Sequence, residues 1–418
     1  MKKLVIDGGN ALNGSVAIHG SKNSSLPILA AAAAVNGISI IHNCPDLTDV
    51  SAAIKILEHI GCRVKREGKT VIVDARNACR SDISESLMRE MRSSIVFLGA
   101  LLARFGKAEI TPPGGCEIGL RPIDLHLSSL RDMGVEISEN GGILDCIAEG
   151  GIKGRNIILA FPSVGATENI MLASLGATGE TVITNAAREP EIKDLADFLV
   201  KCGAKISGAG QSVIRISGNY SVDNVEHTVI PDRIVASTYM AAVACAGGRI
   251  AVKNVVKEHL EPVIHAFEIS GCELEFNGDE LMVEAPEILR RVRYIRTMPY
   301  PGFPTDSQAV IMAVLSKARG TSIINENIFE NRFRHVPELI KMGADIRVEN
   351  NSVAVVEGSS RLHGAKVTAC DLRGGCALAV AALGAEGTTE IDGIHHIDRG
   401  CESIENDFAQ LGAQIKRV

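Results

Sequence analysis

The sequence predicts an α/β protein assembled from six copies of one unit, grouped three to a domain. Two interleaved glycine series, and the apolar runs between them, carry that prediction. The first series is Gly61, Gly134, Gly203, Gly271, Gly343 and Gly412, spaced 68 to 73 residues apart. Each glycine sits in one pattern: apolar, two or three residues, apolar, Gly, small or polar, polar, aliphatic, as in Leu57–Val64 and Leu339–Ile346. A helix that closes on a left-handed glycine and passes into a strand leaves this signature. The second series is Gly37, Gly106, Gly179, Gly248, Gly320 and Gly387, spaced 67 to 73 residues apart, and each member closes an Ala-rich apolar run.

Within one unit the elements follow in order. The Ala-rich run has almost no polar face, and a helix apolar all round is buried all round. After its glycine comes a β-type run, such as Ile38-Ser39-Ile40-Ile41 or Thr321-Ser322-Ile323-Ile324. A more polar helix follows and ends at the first-series glycine, and further strands complete the unit. Solenoid repeats usually run ~20–50 residues. A period near seventy favours a closed arrangement, and three units twice over fit the 418 residues.

Composition narrows the function. Hydrophobic residues are 46% and charged residues 22%, which excludes wholesale disorder. The 43 Lys+Arg against 50 Asp+Glu leave a net charge of -7, so no nucleic-acid partner is expected. Aromatics are 3% with no Trp, a poor supply for base-stacking platforms. A small anionic substrate stays open, because a few inward-facing cations suffice. The start, Met1 to Gly9, has no signal-peptide core. The longest apolar stretch, Leu26 to Val35, is about half a membrane span, so no membrane partner is expected. Eleven scattered cysteines without a CxxC pair suit a reducing cytosol, hence a cytoplasmic location.

The helix openings are the informative positions. They read Lys22-Asn23, Arg92-Ser93, Ser163-Val164-Gly165, Asp232-Arg233, Thr305-Asp306 and Leu372-Arg373. Asn, Ser, Thr and Asp are good N-caps, and capping alone accounts for them. Cations at an N-terminus oppose the helix dipole and need another reason. If the openings converge, Lys22, Arg92, Arg233 and Arg373 would form an anion cage with the exposed amides.

The loops before the other helices are also unusual. Two are rich in charge, Asn185 to Glu191 and Glu330 to His335. A third holds His395-His396, but adjacent side chains point apart in regular structure, and no metal is expected there. The loop Pro112 to Pro122 brackets Cys116 with prolines and glycines and places Arg121 five residues on. Such a segment can act as a lid and presents a thiol near a cation. A tight turn with an incidental cysteine remains the alternative.

At this loop the sequence resembles a known family. Pro113-Gly114-Gly115-Cys116, Ile118-Gly119 and Arg121-Pro122-Ile123-Asp124-Leu125-His126 resemble the catalytic loop of the UDP-N-acetylglucosamine enolpyruvyl transferases, within the EPSP synthase family. The resemblance spans essentially the whole chain. It includes Gly20-Ser21-Lys22-Asn23, Pro231-Asp232-Arg233, Phe303-Pro304-Thr305-Asp306, Phe329 to Phe333 and His396 to Gly400. It implies a two-domain inside-out α/β barrel of six βαβαββ repeats. It also implies domain one at 1–21 plus 232–418, domain two at 22–231, and an active site in the cleft between them.

The implied reaction joins phosphoenolpyruvate to the 3'-hydroxyl of UDP-N-acetylglucosamine and releases phosphate, without metal or organic cofactor. By the match, Lys22, Arg121 and Arg399 hold phosphoenolpyruvate, with Asn23 supporting and Arg373 nearby. Arginine offers planar, bidentate hold on carboxylate or phosphate, and lysine a point charge. Cys116 matches the proton donor, and Asp306 matches the residue beside the sugar hydroxyl, as base or as positioner. The sugar-nucleotide contacts fall on Arg92, Arg121, Pro122, Ile123, Asp124, Leu125, Ser163, Val164, Gly165, Asp306 and Ile328. Oligomeric state stays open.

Several positions depart from the family pattern. Val235 and Ser237 stand where the family has Glu-containing sequence, a loss read as bearing on polar contacts between the domains. Ser307 and Val310 replace commoner residues, Gly374-Gly375-Cys376 is a variant small-residue run, and Cys401 stands where Tyr is usual. None removes an implied catalytic group. The sibling enzyme acting on shikimate 3-phosphate, a catalytically silent paralogue that binds the sugar nucleotide, and a purely structural repeat protein are the competing readings.

Overall fold

A computed structural model describes residues 2–114, 123–218, 224–358 and 361–418. The chain divides into two compact units. One holds residues 2–19 and 231–418, and the other holds residues 20–114 and 123–230. Each unit has its own hydrophobic core.

The predicted six-fold repetition is present. We label the buried helices α1 (Lys22–Ala34), α2 (Phe97–Phe105), α3 (Val164–Ala173), α4 (Arg233–Ala246), α5 (Thr305–Lys317) and α6 (Leu372–Leu383). In one unit α1, α2 and α3 pack on one another, and in the other α4, α5 and α6 do the same. Every residue of α6 is buried, as is every residue of α1 from Ser24 onward. Ala-rich sequence explains the close approach, since small side chains let three helices share one axis region without voids.

Around each helix triad lie three small sheets. Among the described residues five have four strands and one has three. Each four-stranded sheet contains one parallel pair, such as Leu12–Ala17 with Gly248–Lys253, and antiparallel neighbours. In the three-stranded sheet an isolated parallel bridge, Asp82 to Glu109, occupies the corresponding edge. Strand faces alternate buried and exposed, as in Val353–Gly358, so each sheet lays one face on the core.

All six first-series glycines have positive φ, between 89° and 104°. A side chain there would be strained, which is why the pattern is legible. The second series is less uniform. Gly106 caps α2 directly, whereas α1 ends at Ala34 and leaves through the extended residue Val35. Gly37 is not among the left-handed glycines. The opening at Arg92 also differs from a plain helix start. Arg92–Val96 is a 3-10 turn that leads into α2.

Candidate active site

In the unit holding residues 20–230, Ser21 caps α1 by accepting from the Ser24 amide at 3.3 Å. This makes Lys22 the first helical residue, where the dipole opposes its charge. A carboxylate answers that charge. Lys22 Nζ lies 3.2 Å from Asp49 Oδ2, with side chains 11% and 5% exposed. Asp49 comes from the first turn of the helix Thr48–Ile60, and Asn23 shares the α1 opening.

Arg92 donates to the Pro113 carbonyl at 3.4 Å, against the described edge of the Cys116 loop. Ser163 caps α3 by accepting from the Ala166 amide at 3.3 Å, which sets Val164 and Gly165 in its first turn. Gly165 is required by its neighbour, since a Cβ there would come within 2.9 Å of His126 Cε1. His126 is itself pinned. Asn169 donates to His126 Nδ1 at 2.6 Å and to the Ile95 carbonyl at 3.0 Å, and accepts from the Gly99 amide at 2.7 Å. Ile123 precedes the helix Asp124–Asp132, which carries Asp124 and Leu125 in its first turn. Cys116, Arg121 and Pro122 lie outside the described residues.

In the unit holding residues 231–418, three helix openings meet. Asp306, second residue of α5, accepts from Arg332 Nη2 at 2.7 Å and from Arg373 Nη2 at 3.4 Å. The two guanidiniums are 3% and 7% exposed, and the Asp306 carboxylate is 29% exposed. Arg332 also donates to the Thr305 carbonyl at 3.1 Å, so it grips both the helix end and the carboxylate. Arg373 is buried. Burial opposes its charge, but Asp306 and Asp232 hold its pKa above the ordinary range. Asp371 and Asp232 cap α6 and α4 through pairs of backbone amides.

Glu326 ties this opening to a second loop. Its carboxylate accepts from Thr297 Oγ1 (2.9 Å), Thr305 Oγ1 (3.0 Å), the Ile328 amide (2.9 Å) and the Phe329 amide (3.2 Å). Four donors satisfy a buried carboxylate, and they fix Ile328 relative to the start of α5. His335 is buried beside Arg332 and Asp371. Loss of hydration lowers its pKa from 6.5 to about 4, partly countered by Asp371 and reinforced by Arg332. Arg399 closes the 3-10 turn Ile394–Arg399, against which α6 packs.

The openings therefore carry matched charges rather than cations alone. Lys22 meets Asp49, Arg373 meets Asp306, and the Arg233 guanidinium sits 5.6 Å from the Tyr300 ring centre. Sequence reasoning named Lys22, Asp306 and Arg373 and missed Asp49, Glu326 and the His126–Asn169 pair. Arg332 lay in a loop singled out for its charge and within the family resemblance, but no role was assigned to it. A buried acid one helix away from its cation leaves no spacing signal.

Comparison with known proteins bears on this geometry. The family described as EPSP synthase (3-phosphoshikimate 1-carboxyvinyltransferase) matches residues 6–408. The chain is 53% identical to UDP-N-acetylglucosamine 1-carboxyvinyltransferase 2 of Caldanaerobacter subterraneus subsp. tengcongensis, over 100% of both chains. It is 47% identical to UDP-N-acetylglucosamine 1-carboxyvinyltransferase of Trichlorobacter lovleyi, covering 100% of this chain and 99% of the relative. The crystal structure of the enolpyruvyl transferase NikO from Streptomyces tendae superposes with a TM-score of 0.90 at 26% identity, covering 100% of this chain and 99% of that one. No described helix is long and apolar enough to cross a membrane.

Proposed function

The chain belongs to the EPSP synthase family, and from that premise we propose that it transfers the enolpyruvyl group of phosphoenolpyruvate to the 3'-hydroxyl of UDP-N-acetylglucosamine. The observation that carries this reading is full-length identity of about half to proteins named for that transfer, and the resemblance picks out Lys22, Cys116, Asp306, Arg373 and Arg399 for its roles. The role is the first committed step of peptidoglycan synthesis, in the cytoplasm, in support of cell shape and division.

The chemistry is addition followed by elimination. The sugar oxygen bonds to C2 of phosphoenolpyruvate while C3 takes a proton. The tetrahedral intermediate then loses phosphate from C2 and a proton from C3. Lys22 and Asn23, with Arg121, Arg373 and Arg399, bind the phosphate and carboxylate, where bidentate arginine contacts are the strong ones. Cys116 supplies the C3 proton, since an ordinary thiol pKa of about 8.5 leaves it protonated near neutrality. Asp306, oriented by Arg332 and Arg373, takes the hydroxyl proton or positions that hydroxyl. Arg92, Pro122, Ile123, Asp124, Leu125, Ser163, Val164, Gly165 and Ile328 contact the sugar nucleotide.

Phosphate release with phosphoenolpyruvate and either UDP-N-acetylglucosamine or shikimate 3-phosphate tests the proposal. Release with the sugar nucleotide alone supports it. Release with shikimate 3-phosphate alone moves the function to the sibling reaction. Binding of the sugar nucleotide without release makes the chain a silent paralogue. Fosfomycin is the matching probe of the loop thiol. Cys116→Asp is expected to keep activity and lose inactivation by this epoxide, and unchanged inactivation would remove Cys116 from the assignment.

A further inference from the structure

Two of the departures from the family pattern touch each other. Cys376, in the second turn of α6, and Cys401, just after the turn ending at Arg399, place their sulfurs 3.6 Å apart. Both are buried, at 1% and 4% exposure. The other described cysteines are free thiols as well. We propose that Cys376 and Cys401 are a peroxide-oxidisable thiol pair whose disulfide displaces the Arg399 turn relative to the α6 opening at Arg373.

Three observations support it. The pair is local and specific, three residues after Arg373 and two after Arg399. Its surroundings favour reactivity at Cys376. The Cys401 sulfur lies within hydrogen-bond reach of it and the Arg373 guanidinium adds positive charge, so the Cys376 pKa falls below the ordinary range although burial opposes this. Finally, bond formation has to draw the α6 segment and the segment after Arg399 together. A disulfide needs sulfurs ~2.05 Å apart, about 1.5 Å closer than here. The backbone beside both cysteines is closely packed. A Cβ on Gly375 would come within 2.7 Å of Ile397 Cγ1, and one on Gly400 within 2.7 Å of Leu372 Cδ2.

The step balances with a hydroperoxide as oxidant. The Cys376 thiolate attacks one peroxide oxygen, the O–O bond breaks, and the leaving hydroxide is protonated to water. The resulting sulfenic acid is attacked by the Cys401 sulfur, which releases a second water and forms the S–S bond. Two thiols are oxidised and one hydrogen peroxide is reduced to two waters. Bringing the two segments together shifts Arg399 against Arg373. A misplacement near 1 Å can cost about 100-fold in rate. This consequence rests on the roles proposed above for those arginines, whereas formation of the bond does not.

The experiment uses the whole protein treated with hydrogen peroxide, blocked with iodoacetamide and digested with trypsin without reductant. Trypsin cuts after Arg373 and Arg399, which isolates Cys376 in residues 374–399 and Cys401 in residues 400–416. The expected result is a peptide linking these two segments that dithiothreitol separates. Both segments recovered alkylated, or carrying sulfinate without a link, would overturn the proposal. The second readout compares the unaltered protein with Cys401→Ser under the same peroxide treatment, so that any oxidation of the loop thiol is common to both. The KM of the unaltered protein for phosphoenolpyruvate should rise at least about tenfold more than that of Cys401→Ser and return with dithiothreitol. A link that forms without changing KM overturns the displacement. A reduced, unaltered protein without turnover counts against the proposed function, and the digest still decides whether the pair reacts.

Discussion

Lys22 and Asp306 occupy matching places, each within the first two residues of a buried helix, yet they are held in opposite ways. Lys22 is a cation that meets the Asp49 carboxylate at 3.2 Å. Asp306 is a carboxylate gripped by two buried guanidiniums, at 2.7 and 3.4 Å. One opening presents a point charge with a carboxylate beside it. The other presents an oriented acceptor whose position is set from two sides. The same fold element thus supplies an electrostatic anchor in one unit and a fixed polar contact in the other.

Removing the gripped carboxylate is the strongest way to break the contrast. Asp306→Asn keeps the shape and should lower kcat by about 10²–10⁴-fold, read from phosphate release at saturating substrates. A loss below tenfold would reduce Asp306 to a minor contact.

Next in size is the histidine behind the grip. The unfolded chain takes up a proton on His335 near pH 6.5, while the folded chain resists it until about 4. Stability is therefore full above pH 6.5 and falls as pH drops from 6.5 to 4, by about 3 kcal/mol. Denaturation midpoints across that range should fall with acid, and His335→Gln should flatten the fall. An identical slope in both proteins would assign the acid sensitivity elsewhere.

Arg332→Lys sharpens the comparison. It keeps the charge but loses the fork that joins Asp306 to the Thr305 carbonyl. The expected cost is about 1.5 kcal/mol, or roughly tenfold in kcat, with KM for the sugar nucleotide little changed. Equal changes in kcat and KM would point to a damaged fold. The smallest effect belongs to the other opening. Asp49→Asn leaves Lys22 charged and less well aimed, so KM for phosphoenolpyruvate should rise about threefold, under 1 kcal/mol. A larger effect than Arg332→Lys would reverse the contrast.

The departures from the family pattern also become intelligible as contacts. Ser237 and Ser307 lie on α4 and α5 and share a hydrogen bond at 2.9 Å. Cys376 and Cys401 form the sulfur contact. Val235 and Val310 are both 1% exposed and belong to the same core. Read singly in the sequence, these positions are departures that remove no implied catalytic group. In space two pairs of them touch and the two valines share one core, where a change of volume or polarity is felt by its neighbours.

What the sequence determined by itself was the repetition and the openings. Positive-φ glycines and all-apolar helices are demanded by backbone sterics and burial, which act locally and leave a period in the letters. Lys22, Asn23, Ser163, Asp306 and Arg373 were legible because polar residues at the head of an apolar run stand out. Tertiary structure alone decided the partners. Asp49 lies 27 residues from Lys22, Arg332 lies 26 from Asp306, and Cys401 lies 25 from Cys376. A charge or a thiol can find its partner wherever the fold brings one within a few ångströms. No periodicity ties the two positions together, so only the packed helices reveal the pair.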